Sequence, residues 1–149
     1  MDESAFREAR RALERHPCAF AKPLLAGHCR CSCARPHALA ERESISCRSA
    51  AASAACARFR ALLRDNAGFA LRLAPGERVL SHAKQMKLEC GGLTGLALAL
   101  DREGGVADVC DLVEAAGVLF GGIESAPYSE IMRAVAAFAP RRRGRPDPP

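Results

Sequence analysis

Three cysteines occupy every second position of a short segment, at Cys29, Cys31 and Cys33. The surrounding residues, 17–37, follow neither the helical period of about 3.6 residues nor the alternation of a half-buried strand. Hydrophobic packing alone therefore does not organise this part of the chain. We predict a cysteine-rich N-terminal loop at 17–37, whose thiols bind a metal that holds the loop in place.

The spacing of this triplet favours an iron–sulfur cluster over a single zinc ion. In an extended segment, alternate side chains lie about 6.6 Å apart, whereas two thiolates on one tetrahedral zinc are only about 3.8 Å apart. A cluster presents several metal corners and therefore accepts wider spacing. We predict an iron–sulfur cluster as the cofactor, with zinc as the alternative if the loop turns sharply. A third interpretation is a metal-free run of reduced thiols that acts as a redox switch.

Further ligands must come from outside the triplet. Cys18 precedes it by a loop, and Cys47 lies just before a predicted helix, whose free N–H groups stabilise a thiolate. Cys90 precedes Gly91 and Gly92, which allow close approach and offer backbone N–H donors to a cofactor. A tight helix crossing is the competing explanation for these two glycines. The predicted metal ligands are Cys18, Cys29, Cys31, Cys33, Cys47 and Cys90.

Two cysteines and two histidines are weaker candidates. Cys56 and Cys110 fall on the apolar faces of predicted helices, where a buried free thiol is common, so we expect them in the core, with ligation as the alternative. His28 adjoins the triplet and His37 follows it. Either imidazole could complete a mixed ligand set.

Helical periodicity dominates the rest of the chain. Apolar residues recur at three- and four-residue steps, which predicts an all-α fold, a compact bundle of about five helices. Alternation at 86–90 leaves α+β, with a short strand there, as the alternative. We predict one helical domain at 1–139 and a disordered tail, rich in Arg and Pro, at 140–149.

Composition narrows the possible location and partners. The chain has 149 residues, is 49% hydrophobic and carries a formal net charge of +5. It has no run of about eighteen apolar residues, which predicts no membrane span. Residues 1–4 are acidic and lead into no apolar stretch, so we expect no secretory signal and a cytoplasmic protein with reduced cysteines. High Arg and Ala contents are typical of a GC-rich, bacterial-like genome.

The net charge does not indicate a nucleic-acid-binding surface. Four of the cations are tail residues, namely Arg141, Arg142, Arg143 and Arg145. Residues 142–146 resemble the core of an AT-hook, but Asp147 follows and would repel phosphate. Nucleic acid is therefore an unlikely partner.

The function expected from these patterns is that of a small iron–sulfur protein. No acid–base constellation indicates a conventional enzyme. We expect a role in electron transfer, redox sensing or cluster handling, with a protein redox or assembly partner. The alternatives are a structural zinc site in a protein-interaction module and the metal-free thiol switch.

Overall fold

The computed structural model describes residues 2–13, 16–39 and 41–139. Its helices and strands are α1 (Glu3–Leu13), α2 (Ala21–Leu25), β1 (Ala34–Leu39), β2 (Arg42–Cys47), α3 (Ala50–Asn66), α4 (His82–Ala99), α5 (Val109–Phe120) and α6 (Tyr128–Ala137). A short 3₁₀ turn, Ile123–Ser125, precedes α6. The tail at 140–149, for which we predicted disorder, lies outside the described residues. No helix in the described ranges is long and apolar enough to cross a membrane.

The prediction of an all-α fold is wrong, because β1 and β2 form a two-stranded antiparallel sheet. Ala34 lies opposite Cys47, and Leu39 lies opposite Arg42. The fold is therefore mixed, as in the α+β alternative, but its strands are not at 86–90. That segment belongs to α4, whose first turn is capped by Ser81, with its Oγ accepting a hydrogen bond from the Lys84 N–H at 3.2 Å.

The core lies between α3, α4, α5 and α6. Its fully buried side chains include Phe59, Leu63 and Leu93. Phe20, which precedes α2, is also fully buried, and its ring centroid lies 5.9 Å from that of Phe59. Burial of an aromatic ring contributes a large hydrophobic stabilisation. Phe20 therefore anchors the cysteine-rich segment to the helices.

α4 and α6 cross in close contact at glycines of α4. A Cβ on Gly91 would lie 2.6 Å from the Cα of Val135, and one on Gly95 would lie 2.9 Å from the Cα of Ile131. These distances are far below an ordinary carbon–carbon contact of about 3.5–4.0 Å. Glycine is therefore required at both positions by the approach of the α6 backbone.

Backbone hydrogen bonds attach the cysteine-rich segment to the hairpin and to α5. The N–H of Cys47 donates to the carbonyl of His16 at 2.7 Å, and the N–H of Arg48 donates to the carbonyl of Cys33 at 2.8 Å. On the other side, the N–H of Arg30 donates to Val106 and its carbonyl accepts from Val109, at 3.2 and 2.9 Å. The segment predicted as an irregular loop is thus held by the fold itself, and it contains α2 and the first part of β1.

Candidate metal centre

Six of the eight cysteines line one narrow pocket. They come from the segment before α2, the turn before β1, the end of β2, α3 and the start of α5, and they are Cys18, Cys31, Cys33, Cys47, Cys56 and Cys110. Most of the other lining side chains are apolar, among them Phe20, Leu24 and Val109. The cavity that remains is about 10 Å³, which is room for about one water molecule or a single small ion. We call it the six-cysteine pocket.

Cys31 and Cys33 lie on a tight turn rather than on an extended strand. The N–H of Ala34 donates a hydrogen bond to the carbonyl of Cys31 at 3.2 Å, which closes a turn over residues 31–34. The spacing expected for an extended chain therefore does not apply to these two thiols. The sharp bend that a single zinc ion requires is present.

The closest group of potential ligands combines two thiols and a carboxylate. The Sγ atoms of Cys31 and Cys110 and a carboxylate oxygen of Asp108 all lie within 4.8 Å of one another. No other set of three His, Cys, Asp or Glu side chains in the described part of the chain is this compact. This group joins the 31–34 turn to the start of α5.

Ser32 orients two members of this group. Its N–H donates to Asp108 Oδ1 at 3.1 Å, and its hydroxyl lies 3.2 Å from the Sγ of Cys110. The Cys110 thiol in turn donates to Asp108 Oδ1 at 3.2 Å. Groups that hydrogen-bond to metal ligands fix their orientation and strengthen binding. Ser32 is in position to do this for both Asp108 and Cys110.

Asp108 is an ionised carboxylate that faces this group. It is the N-cap residue of α5. Burial raises the pKa of Asp108, but hydrogen bonds from Ser32, from the Cys110 thiol and from the backbone of Asp111 outweigh this effect and hold the pKa below its usual value. An ionised oxygen donor beside two thiols is a chemically suitable ligand set for zinc.

The thiols of the 31–34 turn are protonated when no metal is bound. Burial raises the pKa of Cys31 to about 12. The hydrogen bond from Cys33 to Cys110, together with burial, raises the pKa of Cys33 to about 11. A metal ion must therefore displace a proton from each of these thiols when it binds.

Two of the predicted ligands lie away from the pocket. Cys29 is buried beside Val106, and Cys90 is fully buried within α4. Burial is the main cause that raises the pKa of Cys29 to about 12, and the neighbouring thiols of Cys90, Cys18 and Cys31 contribute to the same shift. Neither Cys29 nor Cys90 lines the pocket. Of the six predicted ligands, the pocket brings together Cys18, Cys31, Cys33 and Cys47.

The predicted donor role of Gly91 and Gly92 stays a prediction, and the structure supplies a packing reason for both. α4 runs through the two glycines without a break. Gly91 faces the α6 backbone, and a Cβ on Gly92 would lie 2.5 Å from a methyl group of Leu63. The helix crossing that competed with the donor role is therefore present.

The two histidines next to the triplet have other contacts. His37 Nε2 lies 2.7 Å from the Oγ of Ser46, and the ring of His28 packs edge-on against Phe138 at a centroid distance of 5.4 Å. Neither histidine lines the six-cysteine pocket. Their positions are explained by the packing of the hairpin and of the end of α6.

Sequence reasoning missed Asp108 as a candidate ligand and placed Cys56 and Cys110 in the core. Cys56 is indeed buried in α3, and it also lines the pocket. Asp108 and Cys110 left one signal in the sequence, an aspartate two residues before a cysteine at the start of a predicted helix. That signal has the simpler explanation of a helix cap.

The chain matches no protein-family model, no curated protein and no solved structure.

Proposed function

We propose that this protein binds a single divalent metal ion, zinc by its donor set, between the 31–34 turn and the start of α5. Its ligands are the thiolates of Cys31, Cys33 and Cys110 and the carboxylate of Asp108. The observation that carries the proposal is the compact group of Cys31, Asp108 and Cys110, whose ligand atoms lie within 4.8 Å of one another.

The separation of these atoms suits one tetrahedral ion. With bonds of about 2.3 Å to sulfur and about 2.0–2.2 Å to oxygen, the ligand atoms around zinc are roughly 3.5–3.8 Å apart. Small side-chain rotations bring the group from its present spacing to that distance. Cys33 lies on the same turn as Cys31 and lines the same pocket as Cys31 and Cys110, so rotation of its side chain supplies a third thiol. Three thiolates and one carboxylate complete four-coordinate zinc.

Binding at this place connects parts of the chain that are distant in sequence. Ser32 and Cys110 are 78 residues apart, and the metal joins the turn that carries one to the helix that carries the other. The free energy of metal binding then contributes to folding of the cysteine-rich segment. A module of this kind presents a stable surface to another protein. The same proposal includes a protein partner and a cytoplasmic location, in which the thiols stay reduced.

A second candidate is an iron–sulfur cluster in electron transfer, redox sensing or cluster handling. It is favoured by the number of thiols, because the pocket contains three more than the single ion uses: Cys18, Cys47 and Cys56. A cluster takes its ligands from more widely spaced thiolates. Its insertion requires these side chains to rotate outward from a cavity of about 10 Å³.

Cobalt binding tests the single-ion site directly. Metal-free protein is titrated anaerobically with Co²⁺, and the sulfur-to-cobalt absorption is followed. Wild-type protein binds one equivalent, whereas Cys31→Ser and Cys110→Ser each weaken binding by about 10–100-fold or more, the range seen even for residues one step removed from a metal.

Cys47→Ser is the matched control, because Cys47 lines the same pocket but is outside the proposed ligand set. The single-ion site predicts unchanged Co²⁺ stoichiometry for this variant. Far-ultraviolet circular dichroism verifies that each variant is folded. If folded Cys31→Ser binds Co²⁺ as tightly as wild-type protein does, the assignment is wrong.

A further inference from the structure

We infer that Asp108 is the one exchangeable ligand of the metal site. It borders a second cavity, from which a small external thiol enters and replaces the carboxylate on the metal. The inference rests on the proposed function and adds to it the class of ligand that reaches the metal. It makes the bound ion accessible for transfer or release rather than permanently enclosed.

The second cavity meets the metal site at Asp108. It has a volume of about 290 Å³ and is lined by residues of the loop before α5 and of its first turn, among them Arg102, Val106, Asp108 and Asp111. Asp108 lines this cavity, whereas Cys31 and Cys110, its two partners in the ligand group, line the six-cysteine pocket. Asp108 is therefore the member of the ligand group that also borders this second cavity. We call it the entry cavity.

The entry cavity is reached from solvent. Arg102, Glu103, Gly105 and Asp111, which all line it, are exposed. Its volume approaches the lower end of the range for small-molecule sites, about 300 Å³, whereas the six-cysteine pocket retains only about 10 Å³. An incoming molecule therefore approaches the metal from the Asp108 side.

Ligand chemistry makes Asp108 the ligand that an external thiol replaces. Thiolates are softer donors than carboxylates, and zinc accepts both. When an external thiol enters, a sulfur–metal bond forms, the bond from Asp108 to the metal breaks, and the thiol proton passes to solvent. No electron is transferred. Ser32 continues to donate its N–H to the released carboxylate, which therefore stays close to the metal.

The charges of the entry cavity select the external thiol. Arg102 is neutralised by its ion pair with Asp111 at 2.8 Å. Glu103 and Asp108 then leave a local negative charge. A cationic thiol is attracted to such a site and an anionic thiol of the same size is repelled. We therefore assign the entry cavity to a small aminothiol rather than to a thiol acid.

The test uses full-length protein loaded with Co²⁺ and titrated anaerobically with 2-aminoethanethiol or mercaptoacetate. A further thiolate on the metal increases the sulfur-to-cobalt absorption in a saturable manner. The expected result is a response to both thiols, with 2-aminoethanethiol binding about tenfold more tightly. Asp108→Cys supplies a protein thiolate at the fourth ligand position and abolishes the increase in absorption on thiol addition. In Asp108→Ala, water occupies the fourth ligand position, and the external thiol binds about tenfold more tightly.

Asp111→Asn removes the partner that neutralises Arg102 but leaves the ligand group intact. It retains the saturable response, while its preference for 2-aminoethanethiol over mercaptoacetate decreases, because the charge of Arg102 is no longer balanced. If wild-type protein binds Co²⁺ but its spectrum does not respond to either thiol, or if Asp108→Cys and Asp108→Ala respond as wild type does, the inference is overturned while the metal site stands. If wild-type protein binds no Co²⁺ at all, the proposed function fails and the inference fails with it.

Discussion

The crossing of α4 and α6 permits a quantitative test of the packing, in the variant Gly91→Ala. The added Cβ would lie 2.6 Å from the Cα of Val135 and 3.1 Å from the carbonyl oxygen of Ala134. Both neighbours are backbone atoms, so no side-chain rotation relieves the contact. α6 must instead move away from α4 by about 1 Å to restore an ordinary carbon–carbon separation.

The expected loss of stability follows from two opposing effects. Overpacking of a well-filled interior costs about 1–3 kcal/mol, and we take the upper half of that range because the clash is with backbone. Replacing Gly by Ala inside a helix gains up to about 1 kcal/mol. The free energy of unfolding should therefore fall by about 1–2 kcal/mol.

Gly117→Ala supplies the control for the helix-propensity effect. Gly117 lies within α5, and a Cβ there meets nothing within 4 Å. This variant should be more stable than wild type by about 0.5–1 kcal/mol. Urea unfolding of the two variants should therefore differ by about 2–3 kcal/mol.

The same pair of variants separates packing from cofactor binding at Gly91. If Gly91 serves packing, Gly91→Ala loses stability but keeps its metal content at saturating metal. Equal stability of Gly91→Ala and Gly117→Ala would refute the packing argument. Loss of metal from folded Gly91→Ala would restore the role as a cofactor donor that the sequence suggests.

Three further predictions concern the core, a buried carboxylate and metal binding. Phe59→Ala should lower the free energy of unfolding by about 3–5 kcal/mol, since the ring is fully buried; a loss below about 1 kcal/mol in urea unfolding would contradict this. Burial raises the pKa of Glu89 despite its 3.3 Å ion pair with Arg60, so its contribution to stability is complete below its unfolded pKa of about 4.3 and falls as pH rises through the folded value. Thermal unfolding should therefore show Glu89→Gln gaining stability relative to wild type as pH rises above about 4, whereas a difference independent of pH would be inconsistent with the buried carboxyl. Because Cys31 and Cys33, with pKa values of about 12 and about 11, must each lose a proton on binding, Co²⁺ affinity should rise at least about a hundredfold per pH unit near neutrality, and a flat profile would show that these thiols are not ligands.

The longer helices were predictable because each carries a local signal, whereas α2 lies in the segment predicted as a loop. Apolar residues recur at helical steps in α3, α5 and α6, and the structure shows Ser49 capping α3. The hairpin gives no such signal. β1 contains Pro36, and β2 buries two serines beside Ile45 rather than alternating apolar and polar residues. Its strands form because the hairpin packs against the rest of the fold. A local sequence pattern does not predict such packing.

The candidate site was predictable in part. The cysteine triplet marked the segment that contributes Cys31 and Cys33 to the pocket. Its spacing was judged on an extended chain, and the 31–34 turn removes that premise. Cys110 and Asp108 reach the site only through the packing of α5 against that turn. A contact between residues more than seventy positions apart depends on tertiary structure, and one sequence alone does not show it.

The most direct test of the metal site is analysis of zinc, iron and acid-labile sulfide in anaerobically purified protein, with a visible spectrum of the same sample. A single zinc site predicts about one zinc per chain, no sulfide and no visible absorption, because zinc thiolates are colourless and four ligands bind one ion. It also predicts that Cys31→Ser purifies without zinc. Iron and sulfide in stoichiometric amounts, with visible absorption, would contradict the single-ion site and establish the cluster instead. Protein that purifies and folds with no metal would contradict both.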